Sequence, residues 1–170
     1  MSVNFPVDYN NLVGSYLTLN DIRRHAFVPA WVNETCAVQM SWALNHCGFA
    51  IGVYAYQSNE VYGGTVRAYQ SPPQRPEDGG HTYIFAVPDM KVYLNNTYGD
   101  ADNYSGSKDD MIGNISGRQG ILSFGHRHID LWDGTDFLQN GLISPGVWHD
   151  RSVRMRGIFF WEAGSSVLGF

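Results

Sequence analysis

Two thiols and one histidine-rich run are the parts of this sequence able to do covalent chemistry. The thiols are Cys36 and Cys47; the run is Gly125-His126-Arg127-His128-Ile129-Asp130-Leu131-Trp132-Asp133-Gly134. A thiolate beside an imidazole is equipped for acyl transfer, the sulfur attacking a carbonyl while the ring takes and returns a proton. Cys36 opens a segment in which Ala37, Met40, Leu44 and Cys47 recur at three- and four-residue spacing, the mark of one helical face. Asn33 or Thr35 can cap that helix and Gly48 can stop it. A thiol in the first turn meets unpaired N–H groups and the positive end of the helix dipole, and both favour the thiolate. Cys47 falls on the apolar face at the far end, where a thiol acts as a small hydrophobe. A helix through both would separate their α-carbons by roughly 16 Å, beyond the ~7 Å a disulfide tolerates. The competing reading of Cys36 is a buried structural thiol.

Read as a strand, the histidine run puts His126, His128, Asp130 and Trp132 on one face and Ile129 and Leu131 on the other. The expected arrangement is a polar face turned to a cleft, with the apolar face anchoring the strand in a core. His-x-His-x-Asp also presents ligands for a metal, but no clear further ligand accompanies it and Cys36 would be left without a role.

The elements that must position these groups follow from periodicity and punctuation. Thr18-Leu19-Asn20-Asp21 reads as a helix start, with a short helix through about Phe27 closed by Pro29. Residues 58–80, rich in Gly, Pro, Ser and Gln, read mostly as loop, and 100–117 as a second long loop. His81 to Val87 reads as a strand, and Pro88 to Tyr98 as a helix with proline in its first turn and Gly99 at its end. Further strands are predicted at Gly120–Phe124, His128–Trp132, Phe137–Leu142 and Val153–Trp161. This order predicts an α+β fold, N-terminal helices packed on a mostly antiparallel sheet, in a single domain over 1–170.

Composition narrows the partners. Hydrophobic residues make up 44% and charged residues 16%, a globular mix. The net charge of −5 argues against nucleic acid, which needs a basic face. No stretch reaches the roughly twenty apolar residues that span a bilayer, so no membrane insertion is expected. The opening residues lack a basic start and an apolar run, which predicts cytoplasmic synthesis without a classical signal peptide. Aromatics at 14% and 19 glycines also suit a sugar-stacking surface. A carbohydrate-binding module using Tyr54, Tyr56, Tyr62, Tyr69 and Tyr104 is therefore one alternative, and a papain-like protein peptidase another.

Cysteine at an early helix start, then histidine at a strand start some ninety residues on, is the chain order of papain-like enzymes. The stretch NETCAVQMSWALNHCG resembles the Asn-Thr-Cys-Ala-x-x-Met-Ser-x-Ala-Leu-Asn signature of type VI secretion amidase effectors of the fourth family. HIDLWDG resembles the same family's His-x-x-Leu-Trp-x-Gly motif, supported by HTYIFAV, GRQGILSF and the late FFWE. The resemblance runs from about Val28 to Glu162. It implies a papain-like fold of the NlpC/P60 type and hydrolysis of the D-glutamyl–meso-diaminopimelate bond in peptidoglycan stem peptides. It further implies delivery by a type VI secretion system to the periplasm of a rival bacterium, and inhibition by a cognate immunity protein.

By that resemblance Cys36 is the nucleophile and His128 the base, because His128 rather than His126 keeps the spacing to Leu131-Trp132-x-Gly134. The sequence departs from the family in a longer 58–80 segment, in Arg127 where glycine usually precedes the histidine, and in lacking the cysteine pair that flanks the third catalytic residue. That third residue should accept from the imidazole and fix its tautomer. Asn140, twelve positions after His128, has close to the NlpC/P60 spacing, with Asp136 and Gln139 as rivals. The backbone N–H of Cys36 is a natural oxyanion donor, and no metal or organic cofactor is required.

Overall fold

A computed structural model describes residues 5–52 and 66–164. The chain divides into two compact units, Asn11–Tyr93 on the one hand and Met1–Asn10 with Leu94–Phe170 on the other.

In the first of these, α1 (Tyr9–Ser15) leads to α2 (Ile22–His25), α3 (Cys36–His46), β2 (Ala68–Gln70), β3 (Thr82–Ile84) and α4 (Val87–Tyr98). Every residue of α3 from Cys36 to Asn45 is buried, not just the predicted stripe. A helix buried all round must satisfy its polar side chains internally. Ser41 donates to the Ala37 carbonyl (2.9 Å) and accepts from the Ile84 N–H (3.0 Å). Asn45 donates to the Thr82 carbonyl (2.9 Å) and accepts from the Ile51 N–H (2.8 Å). Gln39 donates to the Leu17 carbonyl (3.0 Å). The three side chains fix α3 against β3 and the Leu17 segment, so the register of its first residue is set by bonds along its length.

β2 and β3 pair antiparallel, with Tyr69 opposite Tyr83 and their rings stacked 5.5 Å apart. The connecting segment is tied down by Asp78, whose fully buried carboxylate accepts from the Phe27 N–H (2.8 Å), Arg75 Nε (2.7 Å) and the Tyr83 hydroxyl (3.1 Å). Burial and the Asp78 charge push the Tyr83 phenol far above its ordinary range. The expected 58–80 loop contains a short strand, β2; residues 53–65 lie outside the described part. The helix expected from Thr18 to about Phe27 is α2 and is shorter, because the Thr18 hydroxyl bonds the Asp21 carboxylate (3.1 Å) in a turn ahead of Ile22.

The second unit is built on β1 (Phe5–Asp8), β4 (Asp102–Tyr104), β5 (Gly120–Phe124), β6 (His128–Trp132) and β7 (Ile158–Gly164), in the order β1-β7-β5-β6. β5 pairs antiparallel with both β6 and β7. The far edge of β7 is shared: β4 pairs antiparallel with residues 158–160, and β1 runs parallel at Ala163 and Gly164. Pro6, which cannot donate to a ladder, is tolerated because β1 is an edge strand. Buried between the sheet and its helices are Leu122, Phe124, Trp132, Phe137, Trp148 and Phe160, with Met111 and Ile115 of α5 (Lys108–Ile115) and Val153 of α6 (Arg151–Arg156).

Three sequence expectations fail here. The predicted loop 100–117 holds β4 and α5, because Ser107 caps α5 by accepting from the Asp110 N–H (3.1 Å). Phe137–Leu142 is not a strand: Phe137 makes one isolated bridge to Trp132 and the chain then turns, Leu142 N–H bonding the Gln139 carbonyl. Val153–Trp161 begins as α6, capped by Asp150, and becomes strand only after Gly157, whose φ of +78° stops the helix. The α+β class, the antiparallel character of most pairings, and the helix ending at Gly99 (φ +105°) agree with expectation.

Candidate active site

Cys36 is the first residue of α3, and Thr35 stands at its N-cap. The Gln39 N–H closes the first helical bond on the Thr35 carbonyl (2.7 Å), which leaves the N–H groups of Cys36, Ala37 and Val38 without acceptors inside the helix. The Thr35 hydroxyl makes no capping bond; it donates to Gln39 Oε1 (3.0 Å). The positive end of α3 is thus aimed at its own first side chain, a thiol only 7% exposed. Both thiols are free. Cys47 closes the helix half-buried, its Sγ donating to the Leu44 carbonyl at 3.7 Å, and burial raises its pKa.

The second constellation grows from a hairpin. β5 and β6 are joined by Gly125-His126-Arg127, with Phe124 opposite His128. Gly125 takes φ +55°, and a β-carbon there would stand 2.6 Å from both the carbonyl oxygen and the hydroxyl of Ser152. That hydroxyl accepts from the His126 N–H (2.8 Å), so the turn is clamped at the point where His128 enters the strand. The His128 ring packs between Phe124 and Phe137, with centroids 6.0 and 6.1 Å away.

His128 Nε2 lies 2.8 Å from Asp130 Oδ2, and both residues are buried. Asp130 Oδ1 accepts from the Leu131 N–H (2.7 Å), and Gln139 Nε2 reaches Oδ2 at 3.4 Å. A carboxylate with no exposure needs such donors. With Nε2–H given to Asp130, Nδ1 of a neutral ring is the nitrogen left to take a proton. The Tyr9 hydroxyl lies near this pair: burial, then the charges of Asp133 and Asp130, hold it protonated far above its ordinary range.

The remaining predicted residues fall as follows. Asn140 is exposed and its amide donates to Asp136 Oδ2 (2.7 Å). Asp136 uses its other oxygen to accept from the Phe137 N–H (2.9 Å), within a turn capped by Asp133. Gln139, the third candidate, is the one brought to the His128–Asp130 pair. The expectation for the imidazole partner does not include Asp130, although the shared strand face of His128 and Asp130 is a signal for it. The cleft-facing polar side expected of β6 is corrected too: all five residues of the strand are buried, and the histidine-bearing face carries the aromatic cluster. Among the described residues no group of three or more His, Cys, Asp or Glu could hold a metal ion. Of the tyrosines considered for sugar stacking, Tyr54, Tyr56 and Tyr62 lie outside the described residues. Tyr69 is buried, and the Tyr104 hydroxyl accepts from Arg118 (3.0 Å).

The type VI secretion system amidase effector protein 4 family, Tae4, matches residues 32–161, a span that takes in Cys36 and the whole of β5 and β6. The chain belongs to the Tae4 family. It is accordingly a cysteine-dependent amidase effector acting on peptidoglycan. Solved Tae4 structures share its fold. The effector in the Tae4/Tai4 effector–immunity system of Salmonella typhimurium is 20% identical, with a TM-score of 0.58 over 95% of this chain and 100% of that one. Tae4 of Enterobacter cloacae is 19% identical, with a TM-score of 0.54 over 96% and 100%. The Tae4–Tai4 complex from E. cloacae gives 20% identity and a TM-score of 0.51 over 93% and 90%. No curated protein matches the sequence. Among the described residues, no helix of this Tae4 protein is long and apolar enough to cross a membrane.

Proposed function

We propose that this Tae4 protein cleaves the D-glutamyl–meso-diaminopimelate bond of peptidoglycan stem peptides, with Cys36 as nucleophile, His128 as base and Asp130 as the partner that orients the base. The observation that carries this reading is the buried 2.8 Å bond between His128 and Asp130, which engages one ring nitrogen and supports proton transfer at the other. The open first turn of α3 at Cys36 supports the nucleophile.

In the proposed reaction His128 Nδ1 takes the Cys36 proton and the sulfur bonds to the amide carbonyl carbon. The carbonyl oxygen gains the charge, and the Cys36 N–H donates to it. The carbon–nitrogen bond breaks as the imidazolium returns its proton to the departing amine. Water, deprotonated by His128, then splits the thioester and restores the thiol. Asp130 stabilises the imidazolium in both halves.

Delivery into a target periplasm and restraint by an immunity protein belong to the same proposal; the solved relatives in complex with Tai4 support the second. Muropeptide mass spectrometry of sacculi treated with wild type and with Cys36→Ala tests the reading. The expected products end in D-glutamate and begin with meso-diaminopimelate, from wild type alone; cleavage at another bond, or equal cleavage by Cys36→Ala, refutes it.

A further inference from the structure

Trp31 is 58% exposed, the one aromatic residue among the exposed large hydrophobics of the described residues. Its exposure is not slack. The Pro29–Val32 turn that carries it is closed by the Val32 N–H on the Pro29 carbonyl (3.0 Å), and Arg23 Nη2 bonds the Val32 carbonyl (2.7 Å). The indole meets Phe85 edge-on at 4.8 Å and Tyr69 edge-on at 5.9 Å. Held by two perpendicular ring contacts, it still leaves more than half of its surface to solvent.

Beside it stands a fixed guanidinium. Arg67 lies over Phe85 with its central carbon 5.4 Å from the ring, and its Nε is bonded to the buried Asp89 carboxylate (2.9 Å). The anchored Nε leaves the terminal nitrogens on a side chain that is 54% exposed. A rigid aromatic face next to hydrogen-bond donors is how proteins hold a sugar, the C–H face of the ring on the indole and its polar groups on the donors. Trp31 also precedes Cys36 by five residues, which caps the separation of their α-carbons at about 17 Å. A glycan strand and the stem peptide hanging from it span that distance.

We propose that Trp31 and Arg67 form a glycan subsite, Trp31 stacking on an N-acetylhexosamine of the peptidoglycan strand and Arg67 donating to its acetamide carbonyl. The subsite rests on the amidase reading, since it holds the strand whose stem peptide is presented to Cys36. Of the tyrosines that composition singles out it uses only Tyr69, as a support for the indole.

The test compares one stem tetrapeptide in two forms, free and attached to its disaccharide. The readout is the ratio of kcat/KM for the sugar-linked over the free form. Wild type is expected to prefer the sugar-linked form about tenfold, Trp31→Ala to lose that preference and Trp31→Phe to keep part of it. No preference in wild type, or a preference unchanged in Trp31→Ala, overturns the subsite. So does a Trp31→Ala loss that is confined to binding of an immunity protein. Hydrolysis of the free peptide by wild type but not Cys36→Ala tests the amidase reading separately. Should neither substrate be cut, co-sedimentation with glycan strands stripped of peptide decides the subsite alone. Retention of Cys36→Ala and loss of Cys36→Ala/Trp31→Ala supports it; equal behaviour overturns it.

Discussion

Asp130 sits two residues beyond His128 on the same strand, and its carboxylate reaches back 2.8 Å to Nε2 of the ring. Strand geometry puts residues i and i+2 on one face, so imidazole and carboxylate share a single rigid backbone. Phe124 and Phe137 flank the ring, and Gln139 supplies Asp130 with a further donor. The partner of the imidazole is thereby set within the strand itself, independent of the turn that follows.

Asp130→Asn is expected to lower muropeptide release by about 10³–10⁴, the scale seen when a buried carboxylate that fixes a catalytic histidine becomes an amide. Asn140→Ala, at an exposed position whose side chain donates to Asp136, should change turnover by less than about threefold. Rates of both variants on purified sacculi check this, and the reverse ranking would restore Asn140 as the third residue.

At neutral pH, iodoacetamide should label Cys36 far ahead of Cys47. Burial raises the Cys47 pKa, so less of it is thiolate at any given pH. Its labelling should climb about tenfold per pH unit, well past the ordinary thiol range, before levelling. Peptide mapping after brief alkylation across a pH series reads both sites, and early labelling of Cys47 in folded protein contradicts the assignment.

His128→Ala should abolish cleavage, whereas His126→Ala should retain much of it. The bond from the residue-126 backbone N–H to Ser152 persists in His126→Ala, and that bond holds the turn. Muropeptide analysis with circular dichroism as a folding control separates the two; a dead His126 variant beside an active His128 variant would move the base.

Gly125→Ala should cost about 2–3 kcal/mol through positive φ and collision with Ser152. Tm should fall by about 5–10 °C. Gly113→Ala, inside α5 with open space around its α-carbon, should leave Tm level or raise it slightly. Thermal denaturation of the two variants is the measurement.

What the sequence revealed and what it hid follow from the range of the forces involved. The start of α3 at Cys36 and the strand at His128 are legible because periodicity, a cap and a glycine stop are local signals. Ser107 capping α5 is equally local, but the polar composition of 100–117 masked it. The run from Val153 read as strand because its alternation is real only after Gly157. Asp130 was hidden for another reason: period two placed it beside His128, but spacing alone cannot distinguish a side chain that turns to its neighbour from one that turns to solvent. Trp31 left no signal, since its exposure depends on Tyr69 and Phe85, which come from distant strands and loops.

The strand β7 has a temporal consequence. It supplies partners to β5, to β4 and to β1, so Phe5 finds its place only opposite Ala163. Pairing across so much sequence is slow and cannot begin before the later residues exist. The sheet that seats His128 therefore stays unfinished until Gly164 has been made. Until then, a cell producing this effector carries a chain whose His128 has no finished sheet beneath it. A stop codon ahead of β7 would deprive β5, β4 and β1 of that partner at once, so such a truncation should disarm the protein as thoroughly as loss of the thiol.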